Sequence, residues 1–376
     1  MTCSSCGAES LAGDTFCEAC GADLAPPSSP SLLDVPPASP IVDDPTADGD
    51  PTADVPRTHL LTPTSGTDGV DLDDEFGVDV FAPCAACGAA VADDGFCTQC
   101  GHKARTRREH WTETHGDHVG AVCDRGITHA RNEDAMATAV TDAGLVVLVV
   151  CDGVTTAPDS DRASLAASRA ARDVLAANPP VEGAFAARLS AWERTLHLAC
   201  RAANGEAVAV ARALGDPPEP PSCTFVAAVV DRDLVATAWC GDSRAYWLPD
   251  GAPGEQLSLD HSLGTEMIRR GMARSDAEAD ATSHTITRWL GADSLDPTPE
   301  FRALAVDRPG WLLVCSDGLW NEASEPERLQ ALMADAAAAG ATSPTALAES
   351  LAAFANERGG RDNITVALAR CVPQLP

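Results

Sequence analysis

Residues 145–153 read Leu-Val-Val-Leu-Val-Val-Cys-Asp-Gly. Six apolar residues and a cysteine, mostly β-branched, run without a polar break and end on Asp152-Gly153. A run of this length between polar signals is a strand buried on both faces, not a helix. A carboxylate at the end of such a strand is costly unless something cationic meets it. The design recurs at Trp311-Leu-Leu-Val-Cys-Ser-Asp-Gly318. Two strands that each deliver Asp-Gly imply one of two things. Either they share a hard-metal site, or they are separate strand-to-turn junctions, since Asp-Gly is also a favoured turn pair.

At 376 residues, the chain has room for two domains or for one large domain with appendages. A hydrophobic content of 45% permits a sizeable core. The formal charge of -30 argues against general binding to nucleic acid or to an anionic membrane surface. No charged-then-apolar amino-terminal signal is present, and no apolar run approaches the ~18 residues of a membrane span. The expectation is a soluble, cytoplasmic protein with no membrane partner. With 15 cysteines and no such signal, metal ligation is preferred to disulfides.

Eight of those cysteines form an internal repeat. Cys3-x-x-Cys6-Gly and Cys17-x-x-Cys20-Gly make the first copy; Cys84-x-x-Cys87-Gly and Cys97-x-x-Cys100-Gly make the second. Two cysteines three residues apart on a tight turn can point both sulfurs at one ion, and the following glycine permits the positive φ that turns backbone amides toward the thiolates. Two such knuckles close a tetrahedron of four thiolates, the usual structural Zn²⁺ arrangement. Both copies resemble zinc ribbons, one ion each, with a folding role rather than a catalytic one. An iron–sulfur or disulfide reading remains as the alternative.

The expected organisation is a ribbon at 1–25, an acidic Pro/Asp/Thr-rich disordered linker at 26–82, a ribbon at 83–104, a connector at 105–117 and a globular domain at 118–373. The connector holds most of Lys103-Ala-Arg-Thr-Arg-Arg108, the one basic cluster, which either joins two domains or touches an acidic partner. In the globular part, strands are expected at 119–123, 145–151, 223–230, 234–240, 244–248, 311–315 and 364–371. Helices are expected at 159–177, 183–213, 263–272, 326–338 and 344–357. Their clustering favours α+β with largely antiparallel sheets.

The order of short polar motifs is distinctive. Arg131-Asn-Glu133-Asp134, Asp152-Gly153, Cys240-Gly-Asp242-Ser-Arg244, Asp260-His-Ser262, Ser316-Asp317-Gly318 and Asp362-Asn363-Ile-Thr-Val follow one another over about 240 residues. This series resembles the metal-dependent type 2C Ser/Thr protein phosphatase family across roughly 118–372. The resemblance implies two packed antiparallel sheets flanked by helices, with a two-metal centre at one end. It implies Mn²⁺ or Mg²⁺, with Asp152 bridging two ions, the Gly153 carbonyl supporting one, Glu133 on the second, and Asp317 and Asp362 on the first. Asp242 matches the position of a weaker third metal, while Asp134 and Asn363 support the ligands from behind. The implied reaction is one-step hydrolysis of phosphoprotein monoesters, left by a Ser/Thr kinase, by a hydroxide bridging the metals.

Each motif also has a plain alternative. Asp242-Ser-Arg244 could be a polar turn with an internal ion pair, Asp260-His-Ser262 a helix cap, and the remaining cysteines small core residues. Two departures from the family pattern stand out. Asp152-Gly is followed by Val154-Thr-Thr156, so no histidine stands beside the metals. The family's phosphate-holding arginine is replaced by His129, with Arg131 two residues on as the substitute if the backbone is extended there. A rival reading follows: a catalytically weak or inactive phosphatase-fold scaffold, with ribbons that dock a protein partner.

Overall fold

The computed structural model describes residues 83–373, apart from 85, 155–156, 274–275 and 278–279. The first cysteine repeat and the linker at 26–82 lie outside the described residues. No described helix is long and apolar enough to cross a membrane.

The chain lays down β1 (His110–His115), β2 (Val119–Asp124), β3 (Ala135–Val140) and β4 (Val146–Cys151), then α1 (Ser160–Ala176) and α2 (Phe185–Ala213). A run of strands follows: β5 (Ser222–Cys223), β6 (Phe225–Asp231), β7 (Leu234–Cys240), β8 (Arg244–Pro249) and β9 (Glu255–Gln256). After α3 (Leu263–Arg269) come β10 (Leu290–Gly291), β11 (Glu300–Ala305) and β12 (Gly310–Cys315). The chain closes with α4 (Asp317–Trp320), α5 (Pro326–Ala338), α6 (Pro344–Glu357) and β13 (Ile364–Cys371).

Two antiparallel sheets result. One has the order β1-β2-β13-β12-β8-β9 and the other β11-β7-β6-β4-β3, with β10 and β5 forming a small separate pair. The expected pair of antiparallel sheets flanked by helices is present. The reason strand 145–151 is apolar on both faces is now visible. Val146, Leu148 and Val150 pack between the sheets with Val226, Ala228 and Val314, whereas Leu145, Val147, Val149 and Cys151 pack under α1 and α2. β12 divides the same way: Leu312 and Val314 go to the inter-sheet core, Leu313 and Cys315 to the helices α5 and α6. Alternate side chains of a strand point to opposite faces, so a four-layer stack leaves these central strands no wet side. Each fully buried Val or Leu contributes about 1.5–3 kcal/mol. The non-ribbon cysteines are all buried, as core residues should be.

The expected boundary at 118 needs correction. His110–His115, read as connector, is the edge strand β1, paired antiparallel with β2 from His110 opposite Asp124 to His115 opposite Val119. An edge strand with one covered face has no need of an apolar run, and His-Trp-Thr-Glu-Thr-His has none. The basic cluster is tied in as well. Arg105 pairs with Asp124 at 2.6 Å, while Arg108 lies over the Trp111 ring and donates to the Asp161 carbonyl.

Candidate active site

Five stretches deliver acids to one end of the sandwich. Asp152 follows the last residue of β4, Asp317 opens α4 just after β12, and Asp362 stands two residues before β13. Glu133 and Asp134 immediately precede β3, and Asp242 lies in the turn between β7 and β8. Burial, together with repulsion from Asp134, Asp317, Asp362 and Asp242, holds the Asp152 carboxyl well above the usual range. Burial and the charges of Asp242, Asp362 and Asp134 do the same to Asp317. Asp242 is pushed up to about 7 by burial and Asp260. The two Asp-Gly junctions are therefore one site. These are acids that repel one another in the absence of a cation.

Neither glycine of those junctions has a positive φ, so the turn explanation does not apply. Both are there for close approach. A Cβ on Gly153 would stand 2.5 Å from the Glu133 carbonyl oxygen. A Cβ on Gly318 would overlap the Asn363 carbonyl oxygen. Missing side chains let the acid-bearing segments meet.

The supporting bonds are specific. Asn363 Oδ1 accepts the Glu133 amide at 2.7 Å, and its Nδ2 donates to the carbonyls of Arg125 and Arg131. Asn363 thus braces Glu133 with its side chain and Asp362 with its backbone amide, which donates to Oδ1 at 2.8 Å. Asp134 is fully buried; its Oδ2 accepts from Ser316 Oγ and Thr365 Oγ1, and burial pushes its carboxyl up to about 6. Asn321 Nδ2 donates to Asp317 Oδ2. Thr224 Oγ1 accepts from the Asp152 amide and its own amide donates to the Asp152 carbonyl. Nothing in the sequence singled out Asn321 or Thr224, because only the fold brings them to the acids.

The donor set fits divalent cations. Hard ions take carboxylate and carbonyl oxygens, and here Glu133 Oε2 and Asp134 Oδ1 are buried with no hydrogen-bond partner among the described residues. The acids are spaced more loosely than the ribbon sulfurs. Among the described residues, only the ribbon cysteines bring three or more such ligand atoms within 4.8 Å of one another.

His129 and Arg131 both reach the site, but not as neighbours on one strand face. The loop between β2 and β3 is not extended there. Arg131 Nη2 bonds Glu133 Oε1 at 2.9 Å, with the side chain half exposed. His129 Nε2 lies 3.4 Å from Asp362 Oδ1. The internal Asp242–Arg244 ion pair does not form. Arg244 instead grips Asp260 through Nε and Nη2 at 2.9 and 2.6 Å, beneath the Trp320 ring. Ser262 caps α3 by accepting the Thr265 amide.

In the second cysteine repeat, Cys84 and Cys100 Sγ are 3.6 Å apart and Cys87 and Cys97 Sγ 3.4 Å apart. Thiolates at ~2.3 Å from one tetrahedral Zn²⁺ stand about 3.8 Å from each other, so the donors fit that ion. Gly88 and Gly101 have the expected positive φ of 74° and 70°. Amides of Cys100 and Gln99 aimed at Cys97 bring its thiol down to about 6.

A family model described as Protein phosphatase 2C matches residues 126–355, more than half of the chain. The chain belongs to the protein phosphatase 2C family. A second model, Double zinc ribbon, matches residues 3–101 and takes in both cysteine repeats. Protein phosphatase PhpP of Streptococcus pneumoniae is 36% identical over 144 residues, covering 38% of this chain and 55% of the relative. Serine/threonine protein phosphatase PstP of Mycobacterium tuberculosis is 30% identical over 256 residues, covering 67% of this chain and 44% of the relative. The chain spans about half the length of these curated relatives. The catalytic domain of a PstP solved with 2 manganese ions gives a TM-score of 0.52 at 24% identity, over 67% of this chain and 97% of that one, a likeness of fold. In this member of the phosphatase 2C family, the acid cluster lies at strand ends and adjoining loops of the two sheets.

Proposed function

We propose that the protein is a Mn²⁺- or Mg²⁺-dependent phosphatase of phosphoserine and phosphothreonine in proteins, opposing a Ser/Thr kinase. The observation that carries this reading is the convergence of acids from five stretches on one place, Glu133, Asp134 and Asp242 buried and Asp152, Asp317 and Asp362 half-buried, with Asp152 and Asp317 held well above the usual carboxylate range by desolvation and by the neighbouring acids. Glu133, Asp152 with the Gly153 carbonyl, Asp317 and Asp362 are the residues that would hold two ions, and Asp242 those of a third, weaker site. Such ions would supply an activated water and neutralise charge on the phosphoryl group.

The chain's own residues do the rest. Asn363 and Thr224 fix the backbone on which Glu133 and Asp152 stand. Arg131, anchored through one Nη to Glu133 and half exposed, keeps its other donors for a phosphate oxygen. His129 leans on Asp362 and sets the rim beside that acid. The four ribbon thiols hold a structural Zn²⁺, the first repeat a second, and the ribbons dock a protein partner. The opposing view, a non-catalytic scaffold, draws on His129 standing in the arginine's place. It does not explain why so many acids converge on one site.

The test is phosphate release from p-nitrophenyl phosphate and from a phosphothreonine peptide. Turnover with Mn²⁺ and its loss in EDTA are expected; undiminished turnover in Asp317→Ala would sink the assignment. No rise in melting temperature with millimolar Mn²⁺ would favour the scaffold.

A further inference from the structure

In Asp260-His261-Ser262, the first residue pairs with Arg244 and the last caps α3, and the histidine between them has a task of its own. Its side chain is 2% exposed, and the Gly241 amide donates to Nδ1 at 3.1 Å. The His261 amide in turn donates to the Gly241 carbonyl at 2.9 Å. Both polar groups of Gly241, the residue before Asp242, are thus held by one histidine. Gly241 has a φ of 117°, a conformation that favours glycine. A Cβ there would stand 2.7 Å from Thr224 Cβ, so the turn rests directly on Thr224. Ser243 Oγ and Thr224 Oγ1 are hydrogen-bonded across the same junction at 2.7 Å. Thr224 accepts the Asp152 amide and donates its own amide to the Asp152 carbonyl. A path of direct contacts therefore runs from His261 through Gly241 and Thr224 to Asp152.

On its outer side, His261 Nε2 lies 3.2 Å from Glu300 Oε1 and 3.0 Å from Arg288 Nη1. A neutral imidazole accepts at one nitrogen only. Arg288 has other acceptors in the Asp296 carboxylate and the carbonyls of Asp296 and Thr298. Nδ1 is therefore the accepting nitrogen, and Nε2 carries the proton toward Glu300.

We infer that His261 is a positioning residue for the proposed metal centre: its Nδ1 lone pair fixes the turn at 241–243, which carries Asp242 and braces Asp152 by way of Thr224. A buried amide that loses its acceptor favours a shifted turn in which it finds another. The inference deepens the phosphatase reading and rests on it for any effect on turnover, but not for metal binding.

The experiment compares two polar variants of the full chain. In His261→Asn, the carboxamide oxygen falls near the place of Nδ1 and keeps an acceptor for Gly241, while the reach to Glu300 is lost. In His261→Gln, the longer side chain puts its carboxamide near the place of Nε2, keeping Glu300 and giving up Gly241. Calorimetric titration with Mn²⁺ reads affinity without catalysis. His261→Gln should bind Mn²⁺ about tenfold more weakly than wild type, as for other groups that orient metal ligands, and His261→Asn within about threefold of it. With p-nitrophenyl phosphate, His261→Gln should need more Mn²⁺ for half-maximal turnover and recover at saturating Mn²⁺, with KM unchanged. A side chain that only fills space would not rank the two variants this way. Equal Mn²⁺ affinities in the two variants, or the reverse order, overturn the inference. Nitrogen NMR of the metal-free wild-type imidazole at neutral pH is independent of how the variants fold. It should show Nδ1 bare and Nε2 protonated, and the opposite tautomer overturns the inference. If no chain turns over substrate while His261→Gln alone loses Mn²⁺ affinity, the phosphatase reading fails and the positioning role stands.

Discussion

The backbone amide of Glu133 donates a 2.7 Å hydrogen bond to Oδ1 of Asn363, 230 residues further along the chain. The same asparagine holds the carbonyls of Arg125 and Arg131. One side chain therefore fixes the loop that carries Glu133, His129 and Arg131 against the residue that follows Asp362. Asn363→Ala leaves a buried amide and two carbonyls short of a partner, each worth about 1–3 kcal/mol when buried. The expected outcome is a lower melting temperature and a ~10–100-fold weaker Mn²⁺ affinity, as for other groups that orient metal ligands. Calorimetric titration with Mn²⁺ measures the second quantity. Wild-type affinity in the variant would refute the bracing role.

Gly153→Ala probes the close approach of β4's end to Glu133. The added methyl would stand 2.5 Å from the Glu133 carbonyl oxygen, which is backbone and cannot swing aside. Overpacking of this kind costs about 1–3 kcal/mol. A chemical denaturation midpoint equal to wild type would show that the two segments can separate freely.

The acid cluster makes opposite demands on the metal-free and metal-loaded protein. Asp152 and Asp317 are both raised by burial and by neighbouring acids, so neutralising one should relieve the others. Asp152→Asn is expected to raise the melting temperature in EDTA, to abolish the further rise with Mn²⁺ and to abolish phosphatase turnover. A lower melting temperature in EDTA would contradict the repulsion argument.

A pH effect follows at the edge strand. The Asp124 carboxylate and Glu349 lift His110 to about 9. Burial works against the Asp124 charge, yet hydrogen bonds from His110, Asn356 and the Gly126 amide bring that carboxyl down to about 2. A raised histidine stabilises fully below its unfolded pKa of ~6.5, and the contribution fades as pH climbs through about 9. A lowered aspartate stabilises above its unfolded pKa of ~3.9 and fades as pH falls toward about 2. The pair is thus complete between roughly pH 4 and 6.5. His110 is partly exposed, so solvent screening limits its share to about 1 kcal/mol or less. Melting scans from pH 6.5 to 9 should show a steeper decline for wild type than for His110→Gln; parallel declines would rule the pair out.

Some of this was written locally in the chain. Strand 145–151 and its twin 311–315 announce themselves because a four-layer stack requires apolar residues on both strand faces, and that requirement is visible as an unbroken run. The cysteine knuckles are legible for a similar reason: their geometry is settled within a few residues of backbone. β1 was missed because an edge strand is held by its partner's hydrogen bonds and carries no apolar pattern of its own.

What the sequence by itself determined is the helices and the apolar strands, their order, and the acids and thiols available for metals, since each follows from short-range spacing and from what a buried strand tolerates. What the tertiary structure decided is which groups meet. Arg244 takes Asp260 in preference to nearby Asp242, Asp134 is held by Ser316 and Thr365, and Glu133 hangs from Asn363. Partners separated by up to 231 residues are chosen by sheet register and by glycines that permit close approach, and neither leaves a mark in the local sequence.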